Sequence, residues 1–327
     1  MFRIHRAVSN ALLCAAVAAF AAQASAQESY PSRPVTLVVP AAPGGLTDII
    51  GRATAPALSR TLGQAVVVVN RTGAGGAVGS AAVAKGPADG YNLLVGITSL
   101  VTLPAQEIIN NRSPAFRVEE LAPIASLSTE PMMLITRPDT AYRSLKDVFD
   151  DARKRPGAVN YSTTGVYGTY HVAVEMVAHE ADVRLVAVHY QGGGGAMRAL
   201  LGKEVDLSLI TRSVGLTQIQ SGRLRPLAAW GPKRWEQLPD VPSLKDEGFD
   251  LGGDLVTGLF VATGTPGPVT KVLREAVRAA VNDEQFKATM AKLSASIAYL
   301  DGPDFEKLWK SEAVRLGKVV EKIGRIQ

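Results

Sequence analysis

"VVPAAPGGLTDIIGR", residues 38–52, runs an apolar strand directly into Pro43, Gly44, Gly45, Leu46, Thr47 and Asp48, after which a helical pattern begins. Strand, glycine turn and helix start in that order leave the first helical N–H groups without intrahelical partners. They do so at the end where the aligned peptide dipoles add partial positive charge. Gly44 and Gly45 carry no Cβ to hold a ligand off the backbone, and Thr47 is placed either to cap the helix or to hydrogen-bond a ligand oxygen. The arrangement suits a carboxylate or phosphate, and in open α/β sheets ligands bind beyond the carboxyl ends of strands, where this turn lies. The same residues also make an ordinary tight turn. Asp48 would repel an anion, so its expected work is to fix the loop amides, with direct ligand contact second.

Outward from this stretch, short β-branched runs alternate with longer stretches of helical period, which predicts α/β layers around mostly parallel sheets. Strands are expected at 35–39, 65–69, 92–96, 132–136, 159–162, 184–189, 205–210 and 227–230. Helices are expected at 47–62, 144–154, 168–179, 196–201, 214–221, 268–282 and 303–320. A second strand-to-helix junction, "NYSTTGVYGTYH" (160–171), supplies Ser162, Thr163, Thr164, Gly165, Tyr167, Gly168 and Thr169. Two such polar turns in one chain point to a two-sided clamp.

The first residues read as an export signal. "MFRIHR" is basic, "ALLCAAVAAFAA" is too short to span a bilayer, and "ASA" ends at Ala26 as a small-residue cleavage site. Residues 1–26 are therefore expected to be removed and the mature protein to be soluble and periplasmic. Cys14, the only cysteine, would leave with them, and disulfides, thiolate nucleophiles and Cys-based zinc sites are excluded together. The formal charge of +5 drops by two when Arg3 and Arg6 are lost, too small a balance for a nucleic-acid surface. About 300 residues rich in Val, Ile, Leu and Ala suffice for two domains.

Three motifs compete with the clamp. "GAGGAVG" (73–79) follows "VVVVN" like a dinucleotide loop, but its glycines miss the required spacing by one residue, which favours close helix-on-sheet packing. His171 and His179 stand eight apart in an expected helix, two turns from each other, which does not make a zinc pair. His171 is expected to steady the second turn and His179 to lie at the surface. No G-x-S-x-G elbow, H-E-x-x-H pair or S-x-x-K motif accompanies the histidines, so enzyme activity, metal and cofactor are not expected. A hydrolase acting on a carboxylate ester, dependent on His189, is the rival reading from another class.

From "YPSRPVTLVVPAAPGGLTDIIGR" through "VHYQGGGGAMRALLGKEVDLSLI" to "GLFVATGTPGPVTKVL", the mature chain resembles the Bug family of periplasmic solute receptors, the binding proteins of tripartite tricarboxylate transporters. The resemblance implies a two-lobed type II periplasmic-binding-protein fold with a hinge of two crossover strands and a small organic carboxylate between the lobes. It implies lobe 1 from 28–128 and 255–327, lobe 2 from 129–254, and crossings near "SLSTEPMML" and "GGDLVTGLF". By match, Gly44, Gly45, Thr47 and Asp48 form one jaw, and Thr163, Thr164, Gly168 and Thr169 the other. Leu46, Ser99, Ser162, Tyr167, Tyr190, Ile210, Thr211 and Arg212 complete the expected ligand-binding set. The sequence departs from the family at Leu46, where a small polar residue is usual, at His189 and Gln191, which replace proline and lysine, and at Ser208–Arg212. Arg212 suits either a second anionic group or an apolar ligand tail beside Ile210 and Tyr167; an exposed loop arginine is the plain alternative. The implied partner is a membrane permease, or alternatively a sensor kinase, and the receptor is expected to be monomeric.

Overall fold

The computed structural model describes residues 30–324, so the expected signal at 1–26 lies outside the described residues. The opening stretch becomes β1 (Val35–Val39) and α1 (Leu46–Leu62). They are followed by β2 (Val66–Asn70), α2 (Ala77–Ala84), β3 (Asn92–Gly96) and α3 (Ser99–Ile109). After β4 (Leu121–Glu130), only Pro131 separates the chain from β5 (Met132–Thr136). The middle of the chain forms α4 (Leu145–Lys154), β6 (Asn160–Thr163), α5 (Thr169–Glu180), β7 (Val186–His189), α6 (Gly193–Leu201), β8 (Leu207–Thr211), α7 (Arg212–Gln220) and β9 (Arg225–Ala229). β10 (Leu255–Ala262), α8 (Gly267–Asn282), α9 (Glu284–Lys292) and α10 (Gly302–Ile323) complete it.

Two five-stranded sheets result, ordered β2-β1-β3-β10-β4 and β7-β6-β8-β5-β9. In each, parallel neighbours (β1 with β2 and β3; β6 with β7 and β8) meet antiparallel ones. This is the two-lobed periplasmic-binding-protein fold that the resemblance implies. The chain passes between sheets twice, at Pro131 and through residues 230–254. The first passage lies inside "SLSTEPMML" and the second ends inside "GGDLVTGLF"; the remainder of those two segments belongs to the strands β4, β5 and β10, with β4 and β10 paired to each other. Pro123 and three serine or threonine residues disguise β4. It is an edge strand, where proline is tolerated, and Ser126 finds partners in Ala298 and Leu300 of the segment before α10.

Central strands are apolar on both faces because helices cover both. Leu37 and Val39 of β1 join the largest core cluster while Val38 packs with Leu94, Phe260 and Trp309 on the other side. β5 divides likewise, Leu134 facing one cluster and Met133 and Ile135 the other. α4 illustrates the local code: Ser144 accepts from the Asp147 N–H at one end, and Leu145, Val148, Phe149 and Ala152 bury a single stripe. Among the described residues no helix is long and apolar enough to cross a membrane.

Candidate functional site

Residues just beyond the carboxyl ends of β1, β2 and β3 in one sheet and of β6 and β7 in the other line a cavity of about 670 Å³, its mouth included. Five helices begin at its wall: α1, α2, α3, α5 and α6. None of them has a hydrogen-bonding side-chain cap. Helices that start elsewhere are differently equipped. Ser144, Asp283 and Asp301 cap α4, α9 and α10, Glu130 accepts from Ser213 in α7, and α8 has Pro268 in its first turn. At the cavity, Leu46 and Thr47, Thr169 and Tyr170, and Gly193 and Gly194 hold first-turn positions whose amides helix geometry leaves without partners. Each such terminus carries roughly half a positive charge.

Among the described residues, no Asp, Glu, Lys, Arg or His lines this cavity. Its polar surface is main chain together with Thr47, Thr72, Ser99, Thr164, Thr169, Tyr190 and Gln191, and Leu46, Ile97 and Leu255 supply apolar wall. Asp48 is turned away from it. Its carboxylate accepts from the Gly44 N–H at 3.0 Å, Arg52 at 2.9 Å and Asn70 at 2.9 Å. Burial raises its pKa, but these hydrogen bonds outweigh burial and hold it below the usual carboxylate range. Gly44 itself sits at φ +87, where a side chain would be strained, and Asp48 pins that conformation.

The lobes are closed on each other through glycine. A Cβ added at Gly45 would lie 3.2 Å from the Gly193 nitrogen, one at Gly194 2.7 Å from the Pro43 oxygen, and one at Gly165 2.6 Å from Gly75 Cα. Hydroxyls seal the remainder: Thr98 and Thr169 stand 3.1 Å apart, and Thr102 donates to the Tyr167 carbonyl at 2.8 Å. On the same side Tyr167 donates to the Gly324 carbonyl, and Lys322 of α10 pairs with Glu180 of α5.

Of the residues expected from sequence, Gly45, Leu46, Thr47, Ser99, Thr164, Thr169 and Tyr190 line the cavity. Gly168 is the N-cap of α5, one residue behind the wall, and Gly45 takes the N-cap place in α1, so Thr47 is no cap. The others are placed differently. Ser162 is fully buried and bonds to Ala196 and Ser208, while Thr163 is held within its own turn by Gly165 and by His189 at 2.8 Å. Tyr167 points toward the end of α10 and Ile210 packs into the core beside Gly215. Thr211 is buried beneath the hydroxyl of Tyr170, whose burial raises its pKa to about 12. Arg212 donates to the Ser294 carbonyl at 2.9 Å and lines a separate groove with Lys233 and Asp254. A guanidinium so engaged faces no ligand in the cavity.

Sequence reasoning passed over Thr72, Gly73, Gly75, Gly76, Gln191, Gly192 and Gly193, all of which line the cavity. "GAGGAVG" does pack closely, since a Cβ at Gly79 would lie 2.6 Å from the Arg71 oxygen, but its first half is also cavity wall. The signal was available, because it is a third glycine turn at a strand's carboxyl end. The run 192–195 reads as loop because glycine is a poor helix former, yet α6 starts inside it.

The second turn rests on a neutral histidine. His171 is fully buried and its Nδ1 accepts the Tyr167 N–H at 2.8 Å, which leaves the ring proton on Nε2, where no partner meets it. Its ring lies 4.9 Å from that of His189. Burial first, then His189, lowers its pKa to about 3. The folded state therefore binds fewer protons than the unfolded state between the ordinary value near 6.5 and about 3. This contribution to stability is complete above pH 6.5 and is lost as pH falls toward 3. Lowering pH from 6.5 to 5 removes about 2 kcal/mol through this residue. Chemical denaturation of wild type and His171→Gln at both pH values checks it; equal losses in the two proteins would refute the assignment.

A family model described as "Tripartite tricarboxylate transporter family receptor" matches residues 50–325. A UPF0065 protein of Bordetella pertussis is 30% identical over 322 residues, covering 98% of this chain and 97% of that relative. The solved structure of the periplasmic binding protein BugD superposes with a TM-score of 0.83 at 30% identity, over 90% of this chain and 99% of that one. MatC from Rhodopseudomonas palustris with bound malate gives a TM-score of 0.82 at 25% identity, over 89% and 100% of the two chains. A second R. palustris protein, solved with adipate, gives 0.82 at 26% identity, over 90% and 99%.

Proposed function

Because the chain belongs to the tripartite tricarboxylate transporter receptor family and is a solute-binding receptor, we propose that it captures a small organic carboxylate between its lobes in the periplasm and delivers it to the membrane permease of such a transporter. The observation that carries this reading is the convergence of uncapped helix N-termini on a cavity without a charged side chain. Fixed amide dipoles stabilise an ionised head group without the desolvation that a buried lysine or arginine would require. The malate and adipate bound by the two relatives support a small carboxylate as the ligand class.

Capture proceeds in two stages. The open receptor offers α1 on one lobe and α5 and α6 on the other, and the carboxylate lodges on one set of amides. Closure brings up the second set, expels water and forms the Gly45–Gly193 seam. The closed outline then differs from the open one, which is what a permease reads. No bond in the ligand is made or broken. Among the described residues Thr163 and His189 make the one hydroxyl–imidazole pair beside the site, and the buried Thr163 is occupied within its turn, so it supports no hydrolysis.

The test is thermal unfolding against a panel of carboxylates and their matched amides and alcohols. A ligand at 100 times its dissociation constant adds about 2.7 kcal/mol, or roughly 5 °C for a chain of this size. Carboxylates are expected to shift the midpoint and the neutral analogues to leave it alone. Shifts by neutral analogues equal to those of the acids would reject the reading.

A further inference from the structure

Behind the cavity, on the side of the two crossings, lies a second interlobe space of about 460 Å³, its opening to solvent included. It shares Thr169 and Leu255 with the first, and the Thr169 hydroxyl stands 3.1 Å from that of Thr98, a residue of the second wall. Its wall is of another chemistry. Met132, Val172, Ala173, Met176, Leu255 and Leu316 face it from both lobes. Its two charged residues, Asp254 and Arg315, are exposed, and Arg315 already pairs with Glu312 at 2.7 Å. Two methionines in so small a wall give a surface that repacks around different apolar shapes.

We propose that this space is an annex of the carboxylate cavity that accepts the apolar tail of the ligand, with the Thr98–Thr169 pair as the door. The inference rests on the carboxylate reading above and narrows it to acids with an alkyl or aryl tail of several carbons. Three observations support the assignment. The amide-lined end is charged by dipoles alone and serves a head group, whereas no cation of the main cavity awaits a second carboxylate. The annex shares Thr169, a residue of the α5 first turn, with that cavity, so a tail that parts the Thr98–Thr169 contact passes directly from the head-group site into it. Both spaces are walled by both lobes, so the tail is enclosed by the same closure that buries the head.

The test is calorimetric titration of the full mature chain with propanoate, hexanoate, 3-phenylpropanoate and succinate. Each methylene buried in the annex raises affinity roughly fourfold, so hexanoate binds on the order of fiftyfold tighter than propanoate. Ala173→Leu, which adds bulk to the annex wall on a helix that tolerates leucine, removes that gain and leaves propanoate binding in place. Met176→Ala enlarges the annex and moves the preferred tail to a longer acid. Equal binding of short and long tails, or a tail preference that neither variant changes, overturns the annex while the carboxylate reading stands. If no acid binds at all, both readings fall.

Discussion

Gly45→Asp yields a folded receptor that no longer responds to carboxylates. Gly45 is the N-cap of α1 at φ −92 and ψ 172, a conformation open to any residue, and aspartate is at least as good a cap as glycine. Apo stability is therefore expected to stay within a few tenths of a kcal/mol. The added carboxylate, however, is delivered to the place proposed for the ligand. Its Cβ starts 3.2 Å from the Gly193 amide and 3.4 Å from that of Gly194, and the α1 amides lie just behind it. It acts as a tethered competitor for both lobes. A dissociation constant weakened a hundredfold cuts the shift of about 2.7 kcal/mol seen at 100 times the wild-type constant to about 0.4 kcal/mol. Thermal unfolding with and without acid measures this. A variant with an undiminished shift would place the head group elsewhere.

Gly194→Ala separates closure from folding. Gly194 lies in the first turn of α6, where alanine should stabilise the helix by up to about 1 kcal/mol. In the closed protein the new methyl would sit 2.7 Å from the Pro43 oxygen and 3.1 Å from the Gly44 carbonyl carbon, both in the opposite lobe. Main chain at that distance must give way, and overpacking of this kind costs about 1–3 kcal/mol. The open protein bears none of that cost. Affinity is expected to fall roughly 5- to 150-fold while the apo melting point holds or rises. Titration measures the first and small-angle scattering the accompanying expansion. Unaltered affinity would mean that the Pro43–Gly194 approach is not needed for binding.

The sequence already displays the layers of the fold, because β1, β3 and β5 are apolar on both faces and α4 carries its stripe and cap openly. What it hides are elements whose composition contradicts their state. β4 contains Pro123 and a buried Ser126 whose hydroxyl the 296–301 segment satisfies, α3 contains Pro104, and α6 begins in four consecutive glycines. In each, a contact distant in sequence overrides local propensity. The cavity divides the same way. Gly45, Thr47, Thr164 and Thr169 announce themselves as polar residues at strand-to-helix turns. Arg212, Tyr167 and Ile210 lie close to such turns in sequence, but the direction of a side chain is set by packing, and theirs is away from the cavity. Gly193 gives no chemical sign at all, since its contribution is an N–H, and the 73–76 loop signals itself only as glycines at a strand's carboxyl end.

Main-chain amides at helix starts have one property that no side-chain grip shares. No substitution but proline deletes them; any other can only obstruct them or swing them aside. An anchor built this way tolerates side-chain drift of the kind that separates this chain from relatives at 25–30% identity. Leu46, Ile97, Gln191 and the methionines behind the Thr98–Thr169 pair are then free to vary with cargo. A lineage of such receptors diversifies by repainting its walls around a seat that is inherited intact.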